Sequence, residues 1–131
     1  MTLRIVRLGS PRADDEGLRI GTVRRPPRGV PKAEFASRNY YDVWYPVLAP
    51  SADLVAQAQA AAQAGDEKAW KAFDKQYRAE MSAPDPSRTL DLLAALSHQT
   101  NFSVGCYCED EAHCHRSVLR ALLQARGAAL A

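Results

Sequence analysis

Apolar residues alternate with polar or small ones in two short stretches near the start of the chain. The first covers residues 3–8 and ends at Gly9-Ser10-Pro11, and the second covers residues 18–23. A period of two is typical of a half-buried β-strand, so we predict a strand in each stretch. A mostly apolar run at residues 101–108 predicts a further, buried strand late in the chain.

From residue 51 onward, apolar residues recur every three or four positions, which predicts α-helices. The first helix is predicted to start after Ser51 as N-cap and to end at Gly65, where Asp66 caps the second. A third is predicted to start with Asp85 as N-cap and Pro86 at the first helical position, and the last to span residues 114–126. The second helix has one aromatic-rich apolar face, for which core packing is the expected role, formed by Trp70, Phe73, Tyr77 and Met81.

The order of these elements predicts the fold class. The order is strands, then helices, then a strand and a final helix, which is typical of an α/β domain with a crossover connection. A chain of 131 residues and 14.4 kDa has room for one such domain. We therefore predict a single compact α/β domain over residues 1–131, with a small, mostly parallel sheet flanked by helices.

Composition and charge exclude several classes of protein. Hydrophobic residues make up 47% of the chain and charged residues 24%, which is ordinary for a folded protein and excludes overall disorder. The net charge of +2 excludes a generally basic nucleic-acid coat, although it leaves room for a local basic patch. The N-terminus lacks the apolar run of a signal peptide, and no window has the ~20 apolar residues of a membrane span. We therefore expect a cytoplasmic protein with no membrane partner.

The three cysteines of the chain, Cys106, Cys108 and Cys114, all lie within nine consecutive residues. An odd number so closely spaced does not form the disulfide framework of a small secreted domain. We therefore expect a reducing compartment, in which these thiols are free, bound to a metal or redox-active.

The same segment is where an α/β fold places its ligands, because loops that leave the carboxyl ends of strands lead there into helix N-termini. Cys106 and Cys108 are two residues apart, so their side chains point to the same side of an extended strand. Cys114, His115 and Arg116 fall in the first turn of the last predicted helix, where free N–H groups and the helix dipole favour negative charge.

The leading hypothesis from these positions is a site for a phosphate-bearing ligand, either a small molecule such as a nucleotide or a nucleic acid. Backbone N–H groups would hold the phosphate oxygens, Arg116 would donate two parallel hydrogen bonds, and Ser117 would contribute its hydroxyl. A basic, proline-rich loop at residues 24–32 would complete the site. The candidate ligand-binding residues are Cys108, Cys114, His115, Arg116, Ser117, Arg28 and Lys32.

Three alternatives stay open at this point. Cysteine and histidine are zinc ligands, so Cys106, Cys108, Cys114 and His115 could form a metal centre, although the spacing differs from paired Cys-x-x-Cys motifs. Cys114 or Cys108 could be a reactive thiol whose pKa the helix N-terminus lowers. The cluster could also serve only packing and capping in an interaction domain without a ligand. These residues do not decide whether the protein is an enzyme.

Several segments of the chain are typical of one protein family. They are the N-terminal strand and residues 27–32, 48–51, 70–80 and 106–119. The last is the most specific, because Cys-x-Cys with a downstream Cys-His-Arg-Ser is unusual by chance. On these residues the chain resembles the bacterial family called domain of unknown function 488, the YeaO-like proteins. The resemblance implies a small cytosolic α/β fold and assigns no activity.

Overall fold

Four short strands form one sheet in the computed structural model, which describes residues 1–131. They are β1 (Leu3–Arg7), β2 (Leu18–Gly21), β3 (Val43–Trp44) and β4 (Phe102–Cys106). Their order across the sheet is β1-β4-β2-β3, and every neighbouring pair is parallel. The predicted α/β fold with a small sheet is therefore confirmed, and the sheet is wholly rather than mostly parallel.

Four helices accompany the sheet. They are α1 (Ala52–Ala64), α2 (Glu67–Met81), α3 (Pro84–Leu96) and α4 (His115–Ala125). The side chains of Ser51 and Asp66 accept hydrogen bonds from backbone N–H groups in the first turns of α1 and α2, as predicted. Gly65 ends α1 in the left-handed conformation, at φ 61°, which glycine adopts without strain. None of these helices combines the length and the apolar character needed to cross a bilayer.

The predicted start of α3 is wrong by two residues. The helix begins at Pro84 with Ala83 as its N-cap, rather than at Pro86 with Asp85 as N-cap. Proline fits any position of the first turn, because the N–H groups there have no acceptor within the helix. Asp85 therefore lies inside the first turn, where its negative charge interacts favourably with the helix dipole. Its side chain does not cap the helix.

The aromatic face of α2 packs in the main hydrophobic core, as predicted. Phe73, Tyr77 and Met81 are buried together with β4, every residue of which is buried, and with leucines of α3 and α4. Trp70 is only partly buried and stacks on Phe73, with 4.8 Å between ring centroids. The Tyr77 hydroxyl donates a 2.6 Å hydrogen bond to the buried carbonyl of Leu48, so its polar atom is satisfied inside the core.

A second, smaller cluster lies at the carboxyl end of the sheet. It consists of Leu8, Val23, Tyr41, Cys106 and Cys114, all of them buried. Two of the three cysteines are therefore core residues, and the predicted site begins at the boundary between this cluster and the solvent.

A buried ion pair holds the loops that cover this second cluster. Arg19 of β2 donates to both carboxylate oxygens of Glu16, at 2.7 and 2.9 Å, and neither side chain is more than 3% exposed. Another nitrogen of Arg19 donates to the carbonyls of Ser10 and Asn39. Because Asn39 is close in the chain to Tyr41, the pair fixes the segment that packs Tyr41 against the cysteines.

Candidate metal centre

The end of β4 and the start of α4 position the cysteines. Cys106 is the last residue of β4, the strand between β1 and β2, and Cys108 follows two residues later. A 3₁₀ turn at Glu111–His113 then leads to Cys114, which is the N-cap of α4. The structure therefore confirms the strand–loop–helix arrangement at the carboxyl end of the sheet, with the last helix one residue shorter at each end than predicted.

The three sulfurs and one imidazole converge there. The Sγ atoms of Cys106 and Cys108 are 3.8 Å apart, and the Sγ of Cys114 lies 3.9 Å from Nδ1 of His115. The ligand atoms of Cys106, Cys114 and His115 all lie within 4.8 Å of one another. The four residues named in the sequence as possible metal ligands are thus neighbours in space.

These separations are close to those of a tetrahedral zinc site. Two sulfurs at about 2.3 Å from zinc are about 3.8 Å apart in a tetrahedron, and a sulfur and an imidazole nitrogen about 3.6 Å. The separation between Cys106 and Cys108 equals the first value, and that between Cys114 and His115 exceeds the second by about 0.3 Å. The donor types therefore fit zinc, and these two separations are near the values of a tetrahedral site.

The hydrogen bonds of His115 fix its orientation. Its Nε2 lies 2.7 Å from the carbonyl oxygen of Thr22, which can only accept, so Nε2 carries the proton. The Thr22 hydroxyl lies 3.3 Å from the same nitrogen and itself donates to the carbonyl of Gly105. Nδ1, the other ring nitrogen, is thereby left facing Cys114. A ring nitrogen bonded to a backbone carbonyl is the usual support of a metal-ligating histidine.

The close contact of the thiols shifts the pKa values of Cys114 and Cys106 in opposite directions. The neighbouring thiols of Cys106 and Cys108 lower the pKa of Cys114 below its usual value. The pKa of Cys106 is raised, first by its hydrogen bond with Cys108, then by that with Cys114 and by burial. Cys114 is also the N-cap of α4, where the helix dipole favours a negatively charged side chain.

The two other predicted ligands in the first turn of α4 form hydrogen bonds within the protein. Arg116 is 4% exposed and donates from Nη2 to the carbonyl of Cys108, while its Nε is buried without a partner. Ser117 donates its hydroxyl to the carbonyl of Cys114 at 2.9 Å. Both side chains shape the loop that carries the cysteines, and phosphate binding by them stays a prediction.

The basic loop is exposed beside this region. The side chains of Arg28 and Lys32 are on the surface and form no hydrogen bond or ion pair. The loop is attached to the site by its neighbour Arg25, whose carbonyl accepts a 2.9 Å hydrogen bond from the hydroxyl of Tyr107. The structure does not bring Arg28 or Lys32 into contact with the cysteines, so their predicted contribution to a ligand site stays a prediction.

A cleft of about 370 Å³ opens next to the centre. Its polar lining consists of Cys108, His113 and four carboxylates, those of Asp66, Glu67, Glu109 and Asp110. His113 lies 2.9 Å from a carboxylate oxygen of Asp110 and 2.8 Å from one of Glu67, and these contacts raise its pKa. The lining is therefore mainly acidic, and Cys108 is the cysteine that faces it.

Two residues of the site have no signal in the sequence. Thr22 orients His115 although it is 93 positions away in the chain, and Tyr41 packs beside Cys106 and Cys114. The position of Thr22 depends on the pairing of β2 with β4, and that of Tyr41 depends on the loop before β3. Only knowledge of the strand order would have pointed to them.

Comparison with known protein families gives one match that covers most of the chain. A family model described as "Active DUF488-N3 subclade" (DUF488-N3a) matches residues 3–127. The chain belongs to this DUF488 family. The matched range contains the whole sheet, the cleft and all four candidate metal ligands of the DUF488 domain. No curated protein and no solved structure gave a significant match.

Proposed function

We propose that this DUF488 protein binds zinc through Cys106, Cys108, Cys114 and His115. The observation that carries the proposal is the group formed by Cys106, Cys114 and His115, whose ligand atoms lie within 4.8 Å of one another. The sulfur of Cys108 lies 3.8 Å from that of Cys106, and the histidine ring is fixed by the carbonyl of Thr22. Thiolates with one imidazole form a common zinc donor set.

The surroundings support a cation rather than an anion as occupant. Four carboxylates line the cleft next to Cys108, so the local potential attracts a divalent ion and repels a phosphate. Three thiolates around zinc leave a net negative charge, which the N-terminus of α4 and the buried guanidinium of Arg116 offset. The bound ion would join the end of β4, the loop after it and the start of α4 into one unit.

The experiment is a metal analysis of the protein with two matched histidine variants. The protein is loaded with zinc, freed of excess and analysed for metal, and cobalt(II) is substituted to report tetrahedral thiolate ligation by its absorption spectrum. We expect one zinc per chain, loss of most zinc from His115→Ala, and full retention in His113→Ala, because the hydrogen-bond partners of the His113 ring are Asp110 and Glu67 rather than a cysteine. Circular dichroism shows that each variant is folded. A metal-free wild type, or equal zinc content in the two variants, would refute the proposal.

A phosphate-bearing ligand at the N-terminus of α4 is the second candidate. It is favoured by the Nε of Arg116, which is buried without a hydrogen-bond partner close to that terminus. Thermal stabilisation of the metal-free protein by a panel of nucleotides, lost in Arg116→Ala, would support it. An unchanged melting temperature across the panel would exclude it.

A further inference from the structure

The three cysteines differ in their access to solvent. Cys106 and Cys114 are 6% and 2% exposed, whereas Cys108 is exposed and lines the cleft of about 370 Å³. Cys108 also lies outside β4 and outside the following 3₁₀ turn. A reagent that enters from solution therefore meets Cys108 before the other two sulfurs.

Cys106 is placed to react with Cys108 afterwards. Their sulfurs are 3.8 Å apart, and a disulfide needs about 2.05 Å, so an approach of less than about 2 Å closes the gap. Rotation of the exposed Cys108 side chain can bring the two sulfurs together. A shift of Cys106 is less favourable, because every residue of β4 is buried. Cys114 packs instead beside the ring of His115.

We propose that Cys108 is a peroxide-reactive thiol and that Cys106 resolves it, so that oxidation opens the metal centre. The sulfur of Cys108 attacks one oxygen of a hydroperoxide, the O–O bond breaks, and the other oxygen leaves as water or an alcohol after taking a proton. The sulfenic acid left on Cys108 is attacked by the sulfur of Cys106, which forms the disulfide and releases one water. Two thiols are oxidised by two electrons in all, and one peroxide is reduced.

The charge of the cleft selects the oxidant. Asp66, Glu67, Glu109 and Asp110 line the approach to Cys108, and they repel anionic oxidants. A neutral hydroperoxide meets no such barrier. The chemistry therefore points to hydrogen peroxide or a small organic hydroperoxide as the co-reactant.

The consequence for the metal rests on the proposed function. A disulfide between Cys106 and Cys108 removes two of the four ligands and leaves only Cys114 and His115, so the affinity for zinc falls. Reduction by a dithiol restores both thiols and the complete ligand set. The centre would thus release its metal under oxidising conditions and bind it again after reduction.

The test uses the full chain in its metal-free and zinc-loaded forms. Each form receives one equivalent of hydrogen peroxide. Intact mass reports the loss of two hydrogens, a thiol reagent counts free cysteines, and a chromophoric chelator reports released zinc. We expect one disulfide in both forms and release of zinc at the same rate as disulfide formation in the loaded form. Because the metal-free form is measured separately, failure of zinc binding and failure of the thiol chemistry give different results.

Variants assign the two roles. Cys108→Ser is expected to lose free thiols at least about tenfold more slowly than the wild type. Cys106→Ser is expected to stop at a sulfenic acid on Cys108, which dimedone traps, while Cys114→Ser still forms the disulfide. Should a variant not fold, native alkylation of the wild type with limiting iodoacetamide serves instead, and fragment masses show whether Cys108 is labelled first. Equal labelling of the three cysteines, or a disulfide between Cys108 and Cys114, would overturn the assignment.

Discussion

Replacement of Arg19 by methionine tests how much the buried ion pair of Arg19 and Glu16 contributes to the free energy of unfolding. The change removes the guanidinium but retains most of the apolar volume, so the carboxylate of Glu16 stays buried without its partner. Breaking a buried pair in this way costs about 3–5 kcal/mol. Since domains of this size are stable by only about 5–15 kcal/mol, we expect the variant to lose about a fifth or more of its free energy of unfolding.

The loss is measured by urea denaturation followed by tryptophan fluorescence. For a chain of this length it corresponds to a melting temperature about 10–20 °C below that of the wild type. Arg4→Met is the matched control, because Arg4 pairs with Asp15 at 3.0 Å and these side chains are 35% and 70% exposed. Such a pair contributes about 1 kcal/mol or less. The reasoning is refuted if Arg19→Met destabilises the protein no more than Arg4→Met.

A double variant and a pH series separate lost charge pairing from lost packing. Glu16→Gln combined with Arg19→Met leaves no unpaired charge, so it is expected to be more stable than Arg19→Met alone. Burial raises the pKa of Glu16, but hydrogen bonds from Arg19 and Ser103 outweigh it, and the net pKa is lowered. A lowered pKa contributes stability that is fully present above the unfolded value of about 4.3 and is lost as the pH falls through the folded value. The wild type should therefore lose stability below about pH 4 more steeply than Glu16→Gln.

Two further substitutions test the packing that surrounds the centre. Tyr77→Phe removes the 2.6 Å hydrogen bond to the buried carbonyl of Leu48 and is expected to cost about 1–3 kcal/mol in urea denaturation. Tyr45→Phe, which removes a partly exposed bond, is its control, and equal losses in the two variants would contradict the argument. Gly21→Ala places a Cβ 2.4 Å from the ring of Tyr41 and is expected to destabilise the protein by about 1–3 kcal/mol. An alanine variant as stable as the wild type would show that the ring moves freely.

Local sequence patterns predict most of the fold because the elements are short and strongly periodic. The caps at Ser51 and Asp66 and the glycine stop at Gly65 are single-residue signals, and each has its predicted role. The predicted start of α3 is wrong because Pro84 and Pro86 both fit the first turn of a helix, and the helix begins after Ala83, which gives no capping signal. Strand order is not local, and it alone brings Thr22 next to His115.

The candidate site was located from sequence because its ligands lie on one continuous strand–loop–helix segment. The roles of its side chains were harder to assign. A residue in the first turn of a helix can direct its donors toward a ligand or back toward the preceding loop, and the sequence does not distinguish the two. The loop after β4 turns back over the helix, so Arg116 reaches the carbonyl of Cys108 and Ser117 that of Cys114.

The side chains around the start of α4 differ in their exposure, and this difference determines which of them a ligand from solution contacts first. Cys108 and the carboxylates of the cleft are accessible, whereas Arg116 is 96% buried and already bonded to the loop. A phosphate that approached through this cleft would have to pass its carboxylates before it reached Arg116. A divalent cation is attracted by the same carboxylates, and a neutral peroxide is unaffected by them. The acidic lining of the cleft and the exposure of Cys108 are therefore what the proposed zinc binding and the proposed oxidation of Cys108 both require.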